Sequence, residues 1–198
     1  MSSSLVLASG NKGKLDEFHQ LLAPLGVRVH AQSEFNIDSV EETGLTFVEN
    51  ALLKARHASR LSGLPALADD SGLAVDALNG APGIFSARFS GVNATDAQNN
   101  DALLKALSGT APDNRRARYW CVLVYLAHAD DPVPSIVQTS WTGRILTVPQ
   151  GNNGFGYDPL FYLPELGRTA AELESVEKNR LSHRGRAMQE LLKMLSTR

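Results

Sequence analysis

Short apolar runs recur along the chain and predict its β-strands. The run at residues 119–127 is the strongest of them, and the polar residues 130–134 that follow it are typical of a hairpin loop. The predicted strands are residues 5–8, 27–31, 119–127, 135–141 and 144–148.

Helix-start signals and amphipathic repeats lie between and after these runs. Capping boxes, in which a Ser or Thr precedes a Glu or Gln by three residues, predict two helix starts. The predicted helices follow Lys14 and run from Thr46 to about Ser62 and from Thr95 to about Leu107. Residues 177–183 lead into a final amphipathic helix, whose inward-facing residues are Met188, Leu191, Leu192 and Leu195. Since the chain shows no internal repeat and no linker-like tract, we expect residues 1–198 to form a single domain.

Residues 66–75 place four polar residues between two apolar runs. We expect the flanking runs to be buried strand, and Gly72 to allow a break in the backbone between them. Such a break would hold the adjacent carboxylates of Asp69 and Asp70 at a strand end, where they could bind Mg²⁺. The alternative is a tight turn in which Asp and Ser side chains bond to their own backbone, and this stretch alone does not separate the two.

A glycine- and lysine-rich loop follows the first predicted strand and precedes the first helix. Free amides at a helix start, together with the helix dipole and two lysines, favour an anion such as a phosphate group. The spacing of Gly10 and Gly13 is too short for a Walker A loop. We predict phosphate binding by this loop, against the alternative of a plain turn with solvated lysines; its residues are Ser9, Gly10, Asn11, Lys12, Gly13 and Lys14.

A second glycine-rich loop occupies residues 150–161. Its glycines suit a backbone that closely approaches a ligand, and Phe155 and Tyr157 could stack on a flat ring. The alternative is a turn whose aromatic rings fold into the core. Near the start of the last helix lie Lys178, His183 and Arg184, cations that oppose the helix dipole and so suggest a ligand.

Composition narrows the class of partner. With 198 residues, 43% hydrophobic, and a net charge of −2, the chain resembles an ordinary globular protein and has no global basic field for polymeric nucleic acid. The single cysteine, Cys121, lies in an apolar run and is expected to be a buried thiol. Without a signal-peptide pattern or an apolar run of membrane-spanning length, we expect a cytoplasmic protein with no membrane partner.

An anion loop, metal-competent carboxylates and an aromatic loop with nearby donors together suit a triphosphate, Mg²⁺ and a base. With these motifs, the chain resembles the bacterial Ham1-like family of inosine/xanthosine triphosphate pyrophosphatases. The matching motifs run in order through nearly the whole chain: residues 9–14, 41–47, 49–51 with Lys54, 68–73, 80–84, 154–159 and 181–185.

The resemblance implies an elongated α/β fold with a mixed central sheet flanked by helices, two lobes with an active-site cleft between them, and a homodimer. It also implies Mg²⁺-dependent hydrolysis of ITP, dITP and XTP to the monophosphate and pyrophosphate, which would cleanse the nucleotide pool. Residues 84–89 are the candidate for the dimer contact.

The same resemblance assigns roles to particular residues. Asp70 is the expected general base and Mg²⁺ ligand, with Asp69 assisting and Lys54 neutralising charge. The second expected metal ligand is Glu41 or Glu42, and Glu42 is the favoured one. The expected substrate-binding residues are the phosphate loop Ser9 to Lys14, Ser71, and, for the base, Phe155, Gly156, Tyr157, Asp158, Lys178, His183 and Arg184.

For the base, donors from His183 or Arg184 would satisfy the O6 acceptor of hypoxanthine or xanthine and clash with the amino group of adenine. Three other functions stay open at this point: a nucleotide sensor without catalysis, a different phosphohydrolase, and a nucleic-acid-binding domain that the charge disfavours.

Overall fold

The computed structural model describes residues 4–196. The strands of this range are Ser4–Ala8 (β1), Arg28–Ala31 (β2), Ala66–Val75 (β3), Arg116–Leu126 (β4), Ser135–Ile145 (β5), Phe161–Leu163 (β6) and Arg168–Thr169 (β7). They form one sheet in the order β2-β1-β3-β4-β5-β6-β7. Because β1 pairs in parallel with β2 and β3, while β6 pairs antiparallel with β5 and β7, the sheet is mixed.

Helices flank this sheet, which confirms the predicted α/β class with a mixed central sheet. The α-helices of the described range are Lys12–Leu22 (α1), Phe47–Ser62 (α2), Asp96–Ala106 (α3), Ser175–Leu181 (α4) and His183–Ser196 (α5). None of the helices in residues 4–196 is both long enough and apolar enough to cross a membrane.

The capping boxes locate two helix starts correctly. Thr46 Oγ1 accepts a hydrogen bond from the Glu49 amide at 3.2 Å, and α2 begins at the next residue, Phe47. Thr95 Oγ1 accepts from the Gln98 amide at 3.2 Å, and the Gln98 side chain accepts from the Thr95 amide at 2.8 Å. Both predictions are confirmed because a cap is a local interaction that the sequence specifies directly.

Other predicted boundaries are wrong. Residues 135–145 form one uninterrupted strand, β5, so the two predicted strands are one, and residues 146–148 lie outside it. Gly143 does not break it: a Cβ there would lie 2.6 Å from the Tyr162 carbonyl oxygen, so the glycine permits close packing against β6. The short strands β6 and β7 were not predicted, because two- and three-residue strands carry almost no periodicity. The separate helix α4 was not predicted either.

The chain divides into two compact units. The first contains the described parts of residues 1–70 and 184–198 together with Cys121–Thr139; the second contains Ser71–Trp120 and Ser140–His183.

In the first unit, β1 and β3 carry an apolar cluster on each face. Leu7 and Leu67 share one cluster with Phe18 of α1 and Met188 of α5. The other cluster consists of alternate residues of the same strands and of alanines on α2: Val6, Ala8, Ala66, Ala68, Ala51, Ala55 and Ala58. Residues 67 and 69 of β3 therefore point toward α1 and α5, and residues 66, 68 and 70 point toward α2.

The second unit has its own core, built from one part each of β3, β4 and β5, from β6, and from the residue 150–160 loop. Phe161 and Leu160 are fully buried there, and Tyr119 and Trp141 are nearly so.

Candidate functional site

The Asp69-Asp70-Ser71-Gly72 stretch is neither a break nor a tight turn. β3 runs through it without interruption from Ala66 to Val75, so both sequence interpretations of its backbone are wrong. Since successive side chains of a strand point to opposite faces, Asp69 and Asp70 are directed to different helices. Asp69 is 1% exposed and Asp70 is 6% exposed, so each must find partners inside the protein.

Gly72 serves close packing instead of a turn. A Cβ at this position would lie 2.3 Å from the Gly83 carbonyl oxygen and 2.5 Å from Ser86 Oγ. Ser86 Oγ also accepts a hydrogen bond from the Leu73 amide at 2.8 Å and donates to the Gly83 carbonyl at 2.6 Å. The 3₁₀ helix Gly83–Arg88 thus lies directly against β3, and only glycine leaves it room.

The Asp69 carboxylate is enclosed by cations from α1 and α5. Lys14 Nζ lies 2.5 Å from Oδ1, and Arg184 Nε donates to Oδ2 at 2.9 Å. Cys121 Sγ is 3.3 Å from the same Oδ2. Arg184 is itself 1% exposed, and its Nη1 forms a second ion pair with Glu17. Two carboxylates and two cations therefore form one buried network.

This network decides the charge state of Asp69. Burial alone would raise the pKa of the carboxyl, but the positive charges of Arg184 and Lys14 outweigh it and hold the pKa well below its usual range. Burial and the neighbouring Asp69 charge raise the pKa of the Cys121 thiol well above its usual value. The thiol is free and buried, as its sequence context predicted.

The Asp70 carboxylate faces α2 and has a different environment. Lys54 Nζ donates to Asp70 Oδ1 at 2.7 Å, to Glu42 Oε1 at 3.0 Å and to the Asp69 carbonyl at 2.8 Å. Asp70 Oδ2 is buried, and none of the residues in 4–196 forms a hydrogen bond with it. One oxygen of this carboxylate is therefore held by a cation while the other is left for a ligand.

The pKa values on this face reflect incomplete neutralisation. Burial raises the pKa of Asp70, and the charges of Lys54 and Lys14 oppose that rise without cancelling it. For Lys54, burial lowers the pKa, but the charges of Asp70 and Glu42 reverse the effect and leave it raised. At neutral pH the lysine is a cation shared by two carboxylates.

The structure separates the two candidate metal ligands Glu41 and Glu42. Glu42 is half-buried and contacts Lys54, whereas Glu41 is exposed. The loop that carries them is tied to α2, since Asn50 Oδ1 accepts from the Gly44 amide at 2.8 Å. Asn50 Nδ2 is buried and, among residues 4–196, has no hydrogen-bond partner.

These residues fit a hard divalent cation. In residues 4–196 no group of three or more His, Cys, Asp or Glu side chains is gathered as a metal centre. Mg²⁺, however, is commonly held by one or two carboxylates plus substrate phosphates and water. Asp70, with its unsatisfied Oδ2, and Glu42 supply that number of carboxylates.

The predicted phosphate loop is ordered around the start of α1. Asn11 caps the helix by accepting from the Lys14 amide at 3.0 Å, and the Asn11 amide donates to Ser9 Oγ at 3.2 Å. Lys12 is exposed and pairs with Asp16, while Lys14 turns inward to Asp69. Lys12 and Lys14, for which the sequence predicted the same role, thus have different surroundings.

In the second unit, Asp158 and Lys178 form a buried ion pair. Lys178 Nζ lies 2.7 Å from Asp158 Oδ2, and both side chains are almost fully enclosed. The same oxygen accepts from the Phe155 amide at 3.0 Å, and Lys178 Nζ lies 4.6 Å from the centroid of the Phe155 ring. A Cβ on Gly154 would lie 2.1 Å from Asp158 Oδ2, so this turn requires glycine.

The two aromatic residues of this loop have different surroundings. The Tyr157 ring is 3% exposed, lies in the core of the second unit, and donates its hydroxyl to the Ser86 carbonyl at 2.8 Å. This is the core arrangement that the sequence left open as an alternative. Phe155 is half-buried and keeps part of its ring accessible.

His183 packs against two aromatic rings. Its ring lies 4.8 Å from that of Tyr119 with an interplanar angle of 7°, and 6.4 Å from that of Trp141. Burial, together with the charge and hydrogen bond of Asp158, raises the pKa of Tyr119 well above its usual value, so the phenol stays protonated. His183 is thus part of the unit that holds Phe155–Asp158, whereas Arg184, the next residue, belongs to the unit that holds Asp69.

Sequence reasoning missed several residues of these clusters. Glu17, Tyr119 and Trp141 lie in ordinary helix and strand patterns, and only tertiary contacts reveal their role. Asn50 offered a signal, since it precedes Lys54 by four residues and so shares its helix face. Ser71, predicted to contact substrate, is half-buried on β3 beside Asp70.

A model of the Ham1 family matches residues 5–194. The chain belongs to the Ham1 family. Among its relatives in that family, the dITP/XTP pyrophosphatase of Salmonella typhimurium is 58% identical over 191 residues, covering 96% of this chain and 97% of its own. The protein of the same name from Vibrio cholerae is 55% identical with 96% of each chain covered.

Solved Ham1 structures have the same fold. A HAM1 protein from Coxiella burnetii is 50% identical, covers 98% of this chain and 99% of its own, and superposes with a TM-score of 0.90. The Staphylococcus aureus Ham1 protein is 40% identical, with 98% of each chain covered and a TM-score of 0.85. The family resemblance drawn from the sequence motifs is confirmed.

Proposed function

We propose that this Ham1-family protein hydrolyses ITP, dITP and XTP to the nucleoside monophosphate and pyrophosphate, with Mg²⁺ as cofactor. Relatives covering nearly the whole chain are named dITP/XTP pyrophosphatases, which supports an enzyme of this class. The observation that carries the proposal is the Asp70 carboxylate, whose Oδ1 is fixed by Lys54 while its buried Oδ2 is unbonded within the described residues.

Asp70 Oδ2 is the proposed acceptor for a proton of the attacking water. Lys54 fixes the carboxylate through Oδ1, so that Oδ2 can hold the water in line with the α-phosphorus. The pKa of Asp70 is raised by its burial, which makes it a better base than an exposed aspartate, although its role in orienting the water can matter as much.

Asp70 and Glu42 are the proposed holders of Mg²⁺, and the triphosphate and water would complete its coordination. When bound, the cation supplies electrophilic activation of the phosphoryl group. The exposure of Glu41 makes it the weaker candidate of the acidic pair.

The proposed triphosphate contacts are the Ser9–Lys14 loop at the start of α1, with Ser71 on β3. Lys14 and Lys54 would neutralise charge that develops on the departing pyrophosphate. Each lysine is held by an aspartate of β3, so both are fixed before substrate binds, and little reorganisation is needed at the moment of reaction.

Base recognition is proposed for the Phe155–Asp158 loop, Lys178 and His183. The half-exposed Phe155 ring offers a stacking surface, and a donor from His183 would satisfy the O6 acceptor shared by hypoxanthine and xanthine. Arg184 remains a predicted substrate contact. Its ion pairs with Asp69 and Glu17 support an additional role in positioning Asp69.

The direct test is a product assay on a panel of nucleotides. Purified protein with Mg²⁺ is incubated with ITP, dITP, XTP, ATP, GTP and UTP, and pyrophosphate, orthophosphate and monophosphate are each measured. The proposal predicts pyrophosphate and monophosphate from ITP, dITP and XTP far above the other nucleotides. Orthophosphate as the first product, or saturable ITP binding without any product, would contradict it. Sedimentation of the same sample tests for the homodimer that the family resemblance implies.

A further inference from the structure

The peptide of Gly156 is held on both sides by helix α3. Asp96 Oδ2 accepts a hydrogen bond from the Gly156 amide at 2.6 Å. One turn further along the helix, Asn100 Nδ2 donates to the Gly156 carbonyl oxygen at 2.8 Å and to the Asp96 carbonyl at 2.9 Å. A single residue of the loop thus has its donor and its acceptor bound by the same helix.

The loop needs such a restraint because of its glycines. Gly151, Gly154 and Gly156 have φ values of 80°, 75° and 62°, a region that other residues rarely adopt. A Cβ on Gly156 would meet nothing within 4 Å, so the glycine is required by its backbone angle and not by lack of space. Since glycine loses more conformational freedom on ordering than any other residue, a loop with three of them is costly to fix.

The helix that supplies the restraint is itself well fixed. Asn99, on the adjacent position of α3, accepts from the Ser90 amide at 2.9 Å and donates to the Ala87 carbonyl at 3.1 Å. Leu103 of α3 is fully buried in the core of the second unit. With its start capped by Thr95, α3 is a rigid support of the kind that holds binding groups to within fractions of an ångström.

Gly156 lies between the residues proposed to contact the base. A rotation of its peptide would displace Phe155 on one side and Tyr157 and Asp158 on the other. Those neighbours have their own anchors, on Asp158 Oδ2, the Ser86 carbonyl and Lys178. The α3 contacts restrain the one residue between them that has no side chain with which to anchor itself.

We propose that Asp96 and Asn100 are positioning residues for base discrimination, which act by fixing the Gly156 peptide and through it the Phe155–Asp158 loop. The inference rests on the proposed function, because it assigns base recognition to that loop. Neither residue is expected to touch the base. A purely structural role for Asp96, as an acid in the first turn of α3 that favours the helix dipole, would stabilise the helix without affecting the choice of base.

The experiment compares Asp96→Ala, Asp96→Asn and Asn100→Ala with Asp101→Ala, an exposed aspartate on the same helix, as the matched control. For each full-length protein, kcat and KM are measured with Mg²⁺ for ITP and for ATP. Asp96→Ala is expected to lower the ratio of kcat/KM for ITP over ATP roughly tenfold, mainly through KM for ITP. Asn100→Ala should lower it by about threefold, because its bond lacks a charge.

Asp96→Asn retains an acceptor for the Gly156 amide and should keep the ratio within about twofold of wild type. The Asp101→Ala ratio should be unchanged. Equal loss of kcat/KM for ITP and ATP in Asp96→Ala, or a wild-type ratio in that variant, would overturn the proposal. A loss in Asp96→Asn as large as in Asp96→Ala would also overturn it, since charge and not the hydrogen bond would then be responsible.

Hydrogen exchange on the same variants separates this inference from the proposed function. In Asp96→Ala the amides of residues 151–157 should exchange faster, while those of β3 stay as in wild type. Unchanged exchange in this loop would overturn the positioning role, whatever the kinetics. If wild-type protein releases no pyrophosphate from any purine triphosphate, the proposed function fails, and the discrimination role fails with it even where the exchange result holds.

Discussion

The neighbouring aspartates Asp69 and Asp70 lie on opposite faces of β3 and have different surroundings. On the face toward α1 and α5, Asp69 is surrounded by Lys14, Arg184 and the Cys121 thiol, and both of its oxygens are occupied. On the face toward α2, Asp70 has Lys54 on one oxygen, and its other oxygen is buried without a hydrogen bond from the described residues. The same residue type, one position apart, is saturated on one face and unsaturated on the other.

The different surroundings of Asp69 and Asp70 support different roles for the two carboxylates. A carboxylate with a strongly lowered pKa and two cationic partners is a structural anchor that orients those cations. A carboxylate with a raised pKa and an unsatisfied oxygen is able to accept a proton or to bind a metal. We infer that Asp69 positions Lys14 and Arg184, while Asp70 takes part in the chemistry.

The largest effect is expected for Asp70→Asn. The substitution preserves shape and an acceptor for Lys54 but removes the proposed base and a proposed metal ligand, so kcat should fall by about 10³-fold. Pyrophosphate release measures the loss, and circular dichroism should show an unaltered fold. Turnover within a few-fold of wild type while Mg²⁺ still binds would make the base assignment wrong.

Asp69→Asn should act mainly on stability. It leaves the buried Arg184 and Lys14 without their carboxylate, which should lower the free energy of unfolding by about 3 kcal/mol. Urea denaturation measures the change, and the Asp70→Asn protein analysed in parallel serves as the comparison. If Asp69→Asn were as stable as wild type, the buried network would not have the role assigned to it.

Glu42→Gln and Glu41→Gln form a matched pair on the Asp70 face. The first removes a carboxylate that contacts Lys54 and should raise the Mg²⁺ concentration needed for half-maximal activity by about tenfold. The second alters an exposed residue and should change this concentration by less than about twofold. Equal effects in the two variants would remove the basis for choosing Glu42.

The smallest effect is expected for Cys121→Ser. The thiol is a weak donor to Asp69, and a hydroxyl of similar size can replace it, so the free energy of unfolding should change by less than about 1.5 kcal/mol. Activity should stay within about twofold of wild type. A fall in the free energy of unfolding as large as that of Asp69→Asn would show that the thiol, and not the two cations, dominates the environment of Asp69.

The sequence predicted local structure, such as helix starts, better than the tertiary arrangement of the side chains. Caps at Thr46 and Thr95 are local and were located correctly. The polar centre of β3 was misread because Asp, Ser and Gly are turn residues by propensity, and only α1, α2 and α5 supply the partners that keep them in a strand.

Spacing does not say which of the two acids faces α1 and α5 and which faces α2. Strand alternation directs them to opposite faces, and the packing of β3 against the helices decides which face each one takes. The sequence also does not show that His183 and Arg184 join different clusters. Both lie in one short motif, and only tertiary packing directs them to different partners.

The most direct test of this division is a calorimetric titration of Asp69→Asn and Asp70→Asn with an ITP analogue that is not hydrolysed between the α- and β-phosphates. Each titration is performed with and without Mg²⁺, and the ratio of the two affinities isolates the metal contribution from any effect on the lysines. We predict that Asp70→Asn lowers this ratio by about tenfold or more, while Asp69→Asn leaves it within about threefold of wild type. An equal fall in both variants, or a fall only in Asp69→Asn, would contradict the assignment.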